Sequence, residues 1–235
     1  MPEATERHFV KFTFVKVEPA WRGLDAGVRA EHKREFAAAC ADFAADHHLR
    51  AYSLVGTRGD ADLMVRTVSL SLDAIHEFHV LLNQCGLMRH ADIAHSYLAM
   101  TKPSAYSDEE LPLKPRPGAD SRYLIVYPMW KKREWYLLPA EERGRIMRGH
   151  IEVGKRYTGI EINTAYSYGL DDQEFVVSFD ADEPAEFLDL VQELRSTESS
   201  AYTESETPIF TCISASPERA LAALDGEATG VTQPA

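Results

Sequence analysis

The sequence predicts an α+β protein made of two tandem ferredoxin-like halves, each running β-α-β-β-α-β, with antiparallel sheets forming a barrel-like core and helices outside. Three observations carry this. The same order of hydrophobic patterns occurs twice along the 235 residues. A stretch of linker composition, 105–122, separates the two copies and holds Pro112, Pro115, Pro117 and Gly118. The tripeptide Ala-Tyr-Ser recurs in the equivalent strand, starting at Ala51 and again at Ala165. Two such units in succession describe the split βαβ motif repeated.

Each element has its own signal. His8 to Val17 alternates apolar and polar residues, as a strand does. Gly27 to His47 is rich in alanine and carries Phe36, Cys40 and Phe43 at helical spacing. Ala51 to Gly56 and Asp62 to Ser71 read as strands around a turn at Gly59-Asp60. Leu72 to Cys85 is a helix with Ile75, Phe78 and Leu82 on one face, closed by Gly86. Ile93 to Met100 completes the first copy. In the second copy the strands are Tyr123 to Met129, Ile162 to Tyr168, Glu174 to Asp180 and Pro208 to Ser214. The helices are Pro139 to Tyr157 and Pro184 to Leu194. The predicted boundaries are 1–104 for the first half, 105–122 for the linker and 123–222 for the second half. A disordered tail is predicted over 223–235.

Composition narrows the function. Hydrophobic residues make up 45% and charged residues 26% of the chain, which suits a globular core. The formal net charge of −12 repels phosphate backbones and anionic lipid, so nucleic acid and membrane surfaces are poor partners. No run approaches a membrane span and the first residues have no apolar leader pattern, so a cytoplasmic location is expected. Cys40, Cys85 and Cys212 are far apart and read as reduced thiols. His76 and His79 have helical spacing but no third ligand in sight.

The helix predicted from Pro139 carries the chemistry. Pro139 suits a helix start, and Glu141 and Glu142 lie in the first turn, where the helix dipole favours acids. Arg143, Met147, His150, Gly154 and Tyr157 recur at i, i+4, i+7, i+11 and i+14, and so share one face. A neutral imidazole is a good iron ligand, and Gly149 and Gly154 leave room beside it for a flat macrocycle.

Longer motifs surround this helix. Tyr127-Pro128-Met129-Trp130-Lys131-Lys132-Arg133-Glu134-Trp135-Tyr136-Leu137-Leu138-Pro139 leads into Glu141-Glu142-Arg143, then Met147, His150, Gly154-Lys155 and Tyr157. Downstream come Gly169-Leu170-Asp171-Asp172, Glu174-Phe175, Leu194-Arg195, Thr197-Glu198, Ser200 and Tyr202. This series resembles the signature of the chlorite dismutase superfamily. The first half matches it in its order of elements and in Leu98 to Ser104. The resemblance implies a haem or porphyrin pocket in the second half and His150 as the axial metal ligand. It also implies a homo-oligomer, with a pentamer favoured.

Single residues separate the activities of that superfamily. Chlorite dismutases carry a distal arginine where this chain has Asn163, which has no guanidinium to hold chlorite. Coproheme decarboxylases carry a redox-active tyrosine in a context similar to Tyr127-Pro128-Met129, which makes Tyr127 the candidate catalytic residue. Lys131, Trp135, Met147 and Asn163 become candidate cofactor contacts, Lys131 near a propionate and Trp135 packed against the macrocycle. Glu198 is the candidate to orient the imidazole. One lineage of decarboxylases has a distal glutamine at the Asn163 position, and another has a distal histidine where this chain has Thr101. The implied reaction is the hydrogen-peroxide-dependent decarboxylation of iron coproporphyrin III to haem b. The alternatives are a non-catalytic haem-binding sensor, carrier or chaperone, or an oligomeric scaffold that has lost the cofactor.

Overall fold

The computed structural model of the chain describes residues 6–104, 106 and 121–226. Most of the expected linker, and the tail from residue 227, lie outside the described residues. The chain divides into two compact units. One comprises Met1–Leu98 together with Cys212–Ala235, and the other Ala99–Thr211.

The first unit is built on β1 (Phe9–Val17), α1 (Ala26–Asp46), β2 (His48–Ser53), β3 (Leu63–Ser69), α2 (Leu72–Gln84) and β4 (Ala91–Met100). Its strands lie in the order β4-β1-β3-β2, the order expected of a ferredoxin-like sheet. β3 pairs antiparallel with both β1 and β2. Asp25 caps α1 by accepting from the Gly27 N–H, and Ser71 caps α2 by accepting from the Ala74 N–H. The predicted stripes Phe36, Cys40, Phe43 and Ile75, Phe78, Leu82 are buried together with Val15, Val17 and Trp21. The alternation read in β1 holds only at its ends, because Phe12 to Val15 are all buried. Thr13 survives there because its hydroxyl meets His79 Nε2 at 2.8 Å, while His79 Nδ1 meets the Ile75 carbonyl at 2.7 Å. The turn between β2 and β3 is made at Gly56, with φ +84°, rather than at Gly59-Asp60.

The second unit holds β5 (Tyr123–Lys131), α3 (Arg133–Leu137), α4 (Ala140–Arg156), β6 (Ile160–Tyr166), β7 (Phe175–Ala181), α5 (Pro184–Arg195) and β8 (Thr203–Ser205). β7 pairs antiparallel with β5 and β6, and β8 pairs with β5. Pro184 starts α5, and Glu141 and Glu142 lie in the first turn of α4, as read from the sequence. Ile125, Tyr127, Val177 and Phe179 on the sheet pack with Val153 of α4 and Leu190 of α5. The sheet strands and the helices on them give the α+β class that the sequence predicts.

The end of the chain departs from the expected boundaries. β9 (Phe210–Ala215) pairs antiparallel with β2, setting Ala51 against Ala215 and Ser53 against Ile213. A short helix, α6 (Pro217–Ala222), follows, capped by Ser216. Its Ala220 and Leu221, with Leu224, are buried in the core of the first unit. Residues 223–226, expected in a disordered tail, are therefore ordered. Asp225 pairs with Arg29 and Lys33 at 3.0 Å each, and Arg22 donates to the Leu224 carbonyl at 2.8 Å. Six helical residues are too few to show a periodic signal in the sequence. Among the described residues no helix is long and apolar enough to cross a membrane.

This docked terminus contributes measurable stability. Leu224→Ala empties a fully buried site and is expected to cost about 2–4 kcal/mol in denaturant unfolding. Burial alone would raise the Asp225 carboxyl, but its bonds to Lys33 and Arg29 outweigh this and hold it below the ordinary value. A carboxyl lowered in the folded state contributes stability that is complete above its unfolded pKa, about 4, and is lost as pH falls below it. Asp225→Asn is therefore expected to be destabilised at pH 7 and to converge with the wild type as pH falls through the lowered folded-state pKa of the carboxyl.

Candidate functional site

α4 has no side-chain cap at its start, and Pro139 occupies the N-cap position. The helix is held instead by packing. Ile146 and Val153 are its buried residues. A Cβ added at Gly154 would meet Ile162 Cδ1 of β6 at 3.2 Å, so this glycine brings helix and strand together. At Gly149 an added Cβ would meet nothing within 4 Å. Of the two glycines expected to leave space, only Gly149 does so.

His150 is half-buried on this helix, and its protonation follows from one contact. Thr197, just beyond the end of α5, donates its hydroxyl proton to the Leu194 carbonyl at 2.7 Å. Its Oγ1 is then left as an acceptor for His150 Nδ1 at 3.4 Å. The Nδ1 atom therefore carries the imidazole proton, and Nε2 keeps its lone pair. Burial, and secondarily the charge of Lys131, lowers the imidazole pKa to about 4. The ring is neutral at physiological pH, as a metal ligand must be.

The residue that meets the imidazole differs by one position from the expected Glu198. Glu198 is engaged elsewhere, accepting from Arg145 at 2.8 Å, and Arg145 also binds Glu142. The Thr197-Glu198 pair was in the motif, but a carboxylate is the more familiar partner of a histidine than a hydroxyl. Only the course of the chain after α5 decides between them.

Lys131 ends β5, where the pairing with β8 shifts register between Trp130 and Lys131. Its side chain is turned inward and only 8% exposed. The ammonium donates to the Ser199 carbonyl, Ser199 Oγ and Thr203 Oγ1 at 3.2–3.3 Å. Among the described residues no carboxylate pairs with it. Burial lowers its pKa to about 8, against the opposing charges of Glu206 and Glu174. Trp135, 3% exposed, lies beneath it with the ammonium 5.2 Å from the ring centroid, and Tyr202 packs on the same indole. Met147 Sδ accepts from Ser199 Oγ at 3.5 Å. The segment 197–203 thus brings His150, Lys131, Met147 and Trp135 into one connected set.

Tyr127 lies in the core between the sheet and helices α4 and α5, stacked on Phe179 at 5.7 Å. Burial pushes its phenol well above the usual tyrosine pKa. Asn163 is not tied to this set. Its side chain is exposed and donates to Asp180 Oδ2 at 3.5 Å. In the register, Asn163 stands against Ser178 and Val126, whereas Tyr127 stands against Val177 and Thr164. Adjacent rows point to opposite faces of a sheet, so Asn163 and Tyr127 leave different faces. Thr101 precedes the undescribed linker and lies outside the helices and strands.

Arg143 lies on α4, on the helix face that carries Met147 and His150. Its Nε is buried without a hydrogen-bond partner. The residues present fit a tetrapyrrole carrying carboxylates. An imidazole lone pair is available for iron, a buried ammonium has neutral oxygens as its direct hydrogen-bond partners, and a buried guanidinium nitrogen is unsatisfied. Among the described residues no cluster of three or more His, Cys, Asp or Glu could hold a bare metal ion.

The sequence profile of the family described as Chlorite dismutase matches residues 29–215. The chain is 32% identical over 161 residues to a coproheme decarboxylase of Mycolicibacterium smegmatis, covering 68% of this chain and 70% of that one. A solved structure of a chlorite dismutase variant from Candidatus Nitrospira defluvii superposes with a TM-score of 0.85 at 22% identity, over 93% of this chain and 95% of that one. A structure titled a novel heme-binding protein from Thermus thermophilus superposes with a TM-score of 0.81 at 28% identity, over 96% and 99% of the two chains.

The tautomer is directly testable. Nitrogen-15 shifts of the cofactor-free protein should show His150 with a protonated Nδ1 and a bare Nε2, neutral to about pH 4. Thr197→Val should let the two tautomers mix. A ring found with its proton on Nε2 in the wild type would contradict the assignment.

Proposed function

Since the chain belongs to the chlorite dismutase family, we propose that it binds a haem-type iron porphyrin through His150 Nε2 and carries out peroxide-dependent oxidative decarboxylation of iron coproporphyrin III to haem b. The single observation that carries the binding part is the neutral, Thr197-oriented imidazole on α4. The coproheme decarboxylase relative and the heme-binding neighbour support the same class of ligand. When bound, the iron porphyrin supplies the oxidising power of hydrogen peroxide.

The chain's own residues would do the rest. Thr197 keeps the imidazole proton on Nδ1. Lys131 offers a buried cation to a propionate, and Arg143 offers its unsatisfied Nε to another. Trp135 supports the Lys131 stem. Tyr127 is the redox-active group, losing one electron and its hydroxyl proton, and burial keeps that proton in place beforehand. Two of the four propionates each lose their carboxylate as carbon dioxide and become vinyl groups, each at the expense of one peroxide reduced to two waters.

A second reading, haem binding without turnover, is favoured by Asn163. Its amide is already bonded to Asp180 and leaves the sheet on the face away from Tyr127. It also cannot take up a proton from peroxide near neutral pH. The absence of a guanidinium there argues against chlorite chemistry.

The two readings part on product. Purified protein incubated with iron coproporphyrin III and peroxide is expected to yield the divinyl product, followed by mass. Tyr127→Phe is expected to keep binding but form product at least about a hundredfold more slowly. Tight binding with no vinyl product in the wild type would select the non-catalytic reading.

A further inference from the structure

We infer that Tyr168, Tyr136 and Glu174 form a one-way proton-coupled relay that opens a second oxidation site, at which small phenolic reductants are oxidised at the surface phenol of Tyr168. The relay is read from its own geometry; its oxidant, hydrogen peroxide acting at a bound porphyrin, rests on the function proposed above.

Tyr136 lies on α3, next to the buried Trp135. Its hydroxyl donates to Glu174 Oε2 at 2.6 Å. The same carboxylate oxygen accepts the Lys131 backbone N–H at 2.8 Å, which fixes it in place. The hydroxyls of Tyr136 and Tyr168 are 2.8 Å apart. Since Tyr136 has one proton and gives it to Glu174, Tyr168 must be the donor in that pair. The order Tyr168 to Tyr136 to Glu174 is therefore set by the contacts. The two rings meet edge to face with centroids 6.3 Å apart. Tyr168 is 47% exposed and is held against Phe175, 5.1 Å away, at the turn where Gly169 takes φ +72°.

A phenol is oxidised at neutral pH only if its proton has somewhere to go. Here each proton has an acceptor already in contact. Removing one electron from Tyr136 sends its hydroxyl proton to Glu174 and leaves a neutral phenoxyl radical. Tyr168 then passes one electron and its hydroxyl proton to the Tyr136 oxygen. An external phenol restores Tyr168 with one electron and one proton, and Glu174 releases its proton to solvent. With hydrogen peroxide as oxidant, two phenols become two phenoxyl radicals and one peroxide becomes two waters. Trp135, whose ring lies 6.3 Å from that of Tyr106 and beside Lys131, provides an aromatic neighbour on the buried side. None of the three relay residues belongs to the set around His150.

A purely structural network would tie α3 to the start of β7 without affecting oxidation rates, and the test separates the two. In the cofactor-free protein, photogenerated ruthenium(III) tris-bipyridine is the oxidant and phenoxyl absorption is the readout. The wild type is expected to show a fast phase that slows at least about tenfold in Tyr136→Phe and in Glu174→Gln. In the porphyrin-loaded protein with peroxide, Tyr168→Phe is expected to lower guaiacol oxidation by at least about tenfold while vinyl formation is retained. A fast phase unchanged in both cofactor-free variants, or guaiacol oxidation unchanged in Tyr168→Phe, overturns the relay. A wild type with the fast phase but with neither vinyl product nor guaiacol oxidation supports the relay and overturns peroxide at a porphyrin as its oxidant.

Discussion

One commitment of a proton governs the site: the Thr197 hydroxyl gives its hydrogen to the Leu194 carbonyl and so can only accept from His150. Everything proposed for iron depends on that choice. A histidine with its proton on Nε2 would present a donor where a ligand needs a lone pair. Burial then keeps the ring from charging, and the nearby Lys131 ammonium works in the same direction. A proton arriving at this imidazole would enter a poorly solvated place already facing a cation, so the lone pair persists across the physiological range.

The same surroundings carry a cost that a bound anionic ligand would offset. The Lys131 ammonium is desolvated with neutral oxygens as its direct partners, and the Arg143 Nε, buried without a hydrogen-bond partner, costs the fold about 1–3 kcal/mol. Carboxylates arriving on a porphyrin would satisfy both. In a chain of net charge −12, the one charge among the described residues that acts on the His150 imidazole is the cation of Lys131. The scaffold that holds these groups is ordinary packing. Gly154 lets α4 approach Ile162, Val153 and Leu190 bury against the sheet, and α5 ends where Thr197 is required.

Long periodic segments were legible from the sequence, because burial of one face imposes the period. The stripes of α1 and α2 followed from that rule, whereas β3, β5 and β7 were legible as short apolar runs because both their faces are largely buried. What escaped it was short or set by non-local contacts. α3 and α6 have too few turns to show a period, and the stretch after Ala223 looked polar because Leu224 is its one buried apolar residue among the described ones. β1 read as half-wet, yet Thr13 is buried because His79 lies opposite its hydroxyl. At the site, the helix face with His150 was visible from i, i+4 and i+7 spacing. Thr197 instead of Glu198, and the outward course of Asn163, depend on chain direction and strand register, which no local pattern encodes. Arg143 was visible on the face but its missing partner was not, since a hydrogen bond left unmade has no signature in a sequence.

The account stands on the imidazole of α4 being the iron ligand. Titrating iron coproporphyrin III into the wild type, into His150→Ala and into His150→Ala with added free imidazole, with the Soret band as readout, tests it directly. The account predicts a saturable shifted band in the wild type, its loss in the variant and its return with imidazole. A variant that binds with the same band and affinity as the wild type would contradict it.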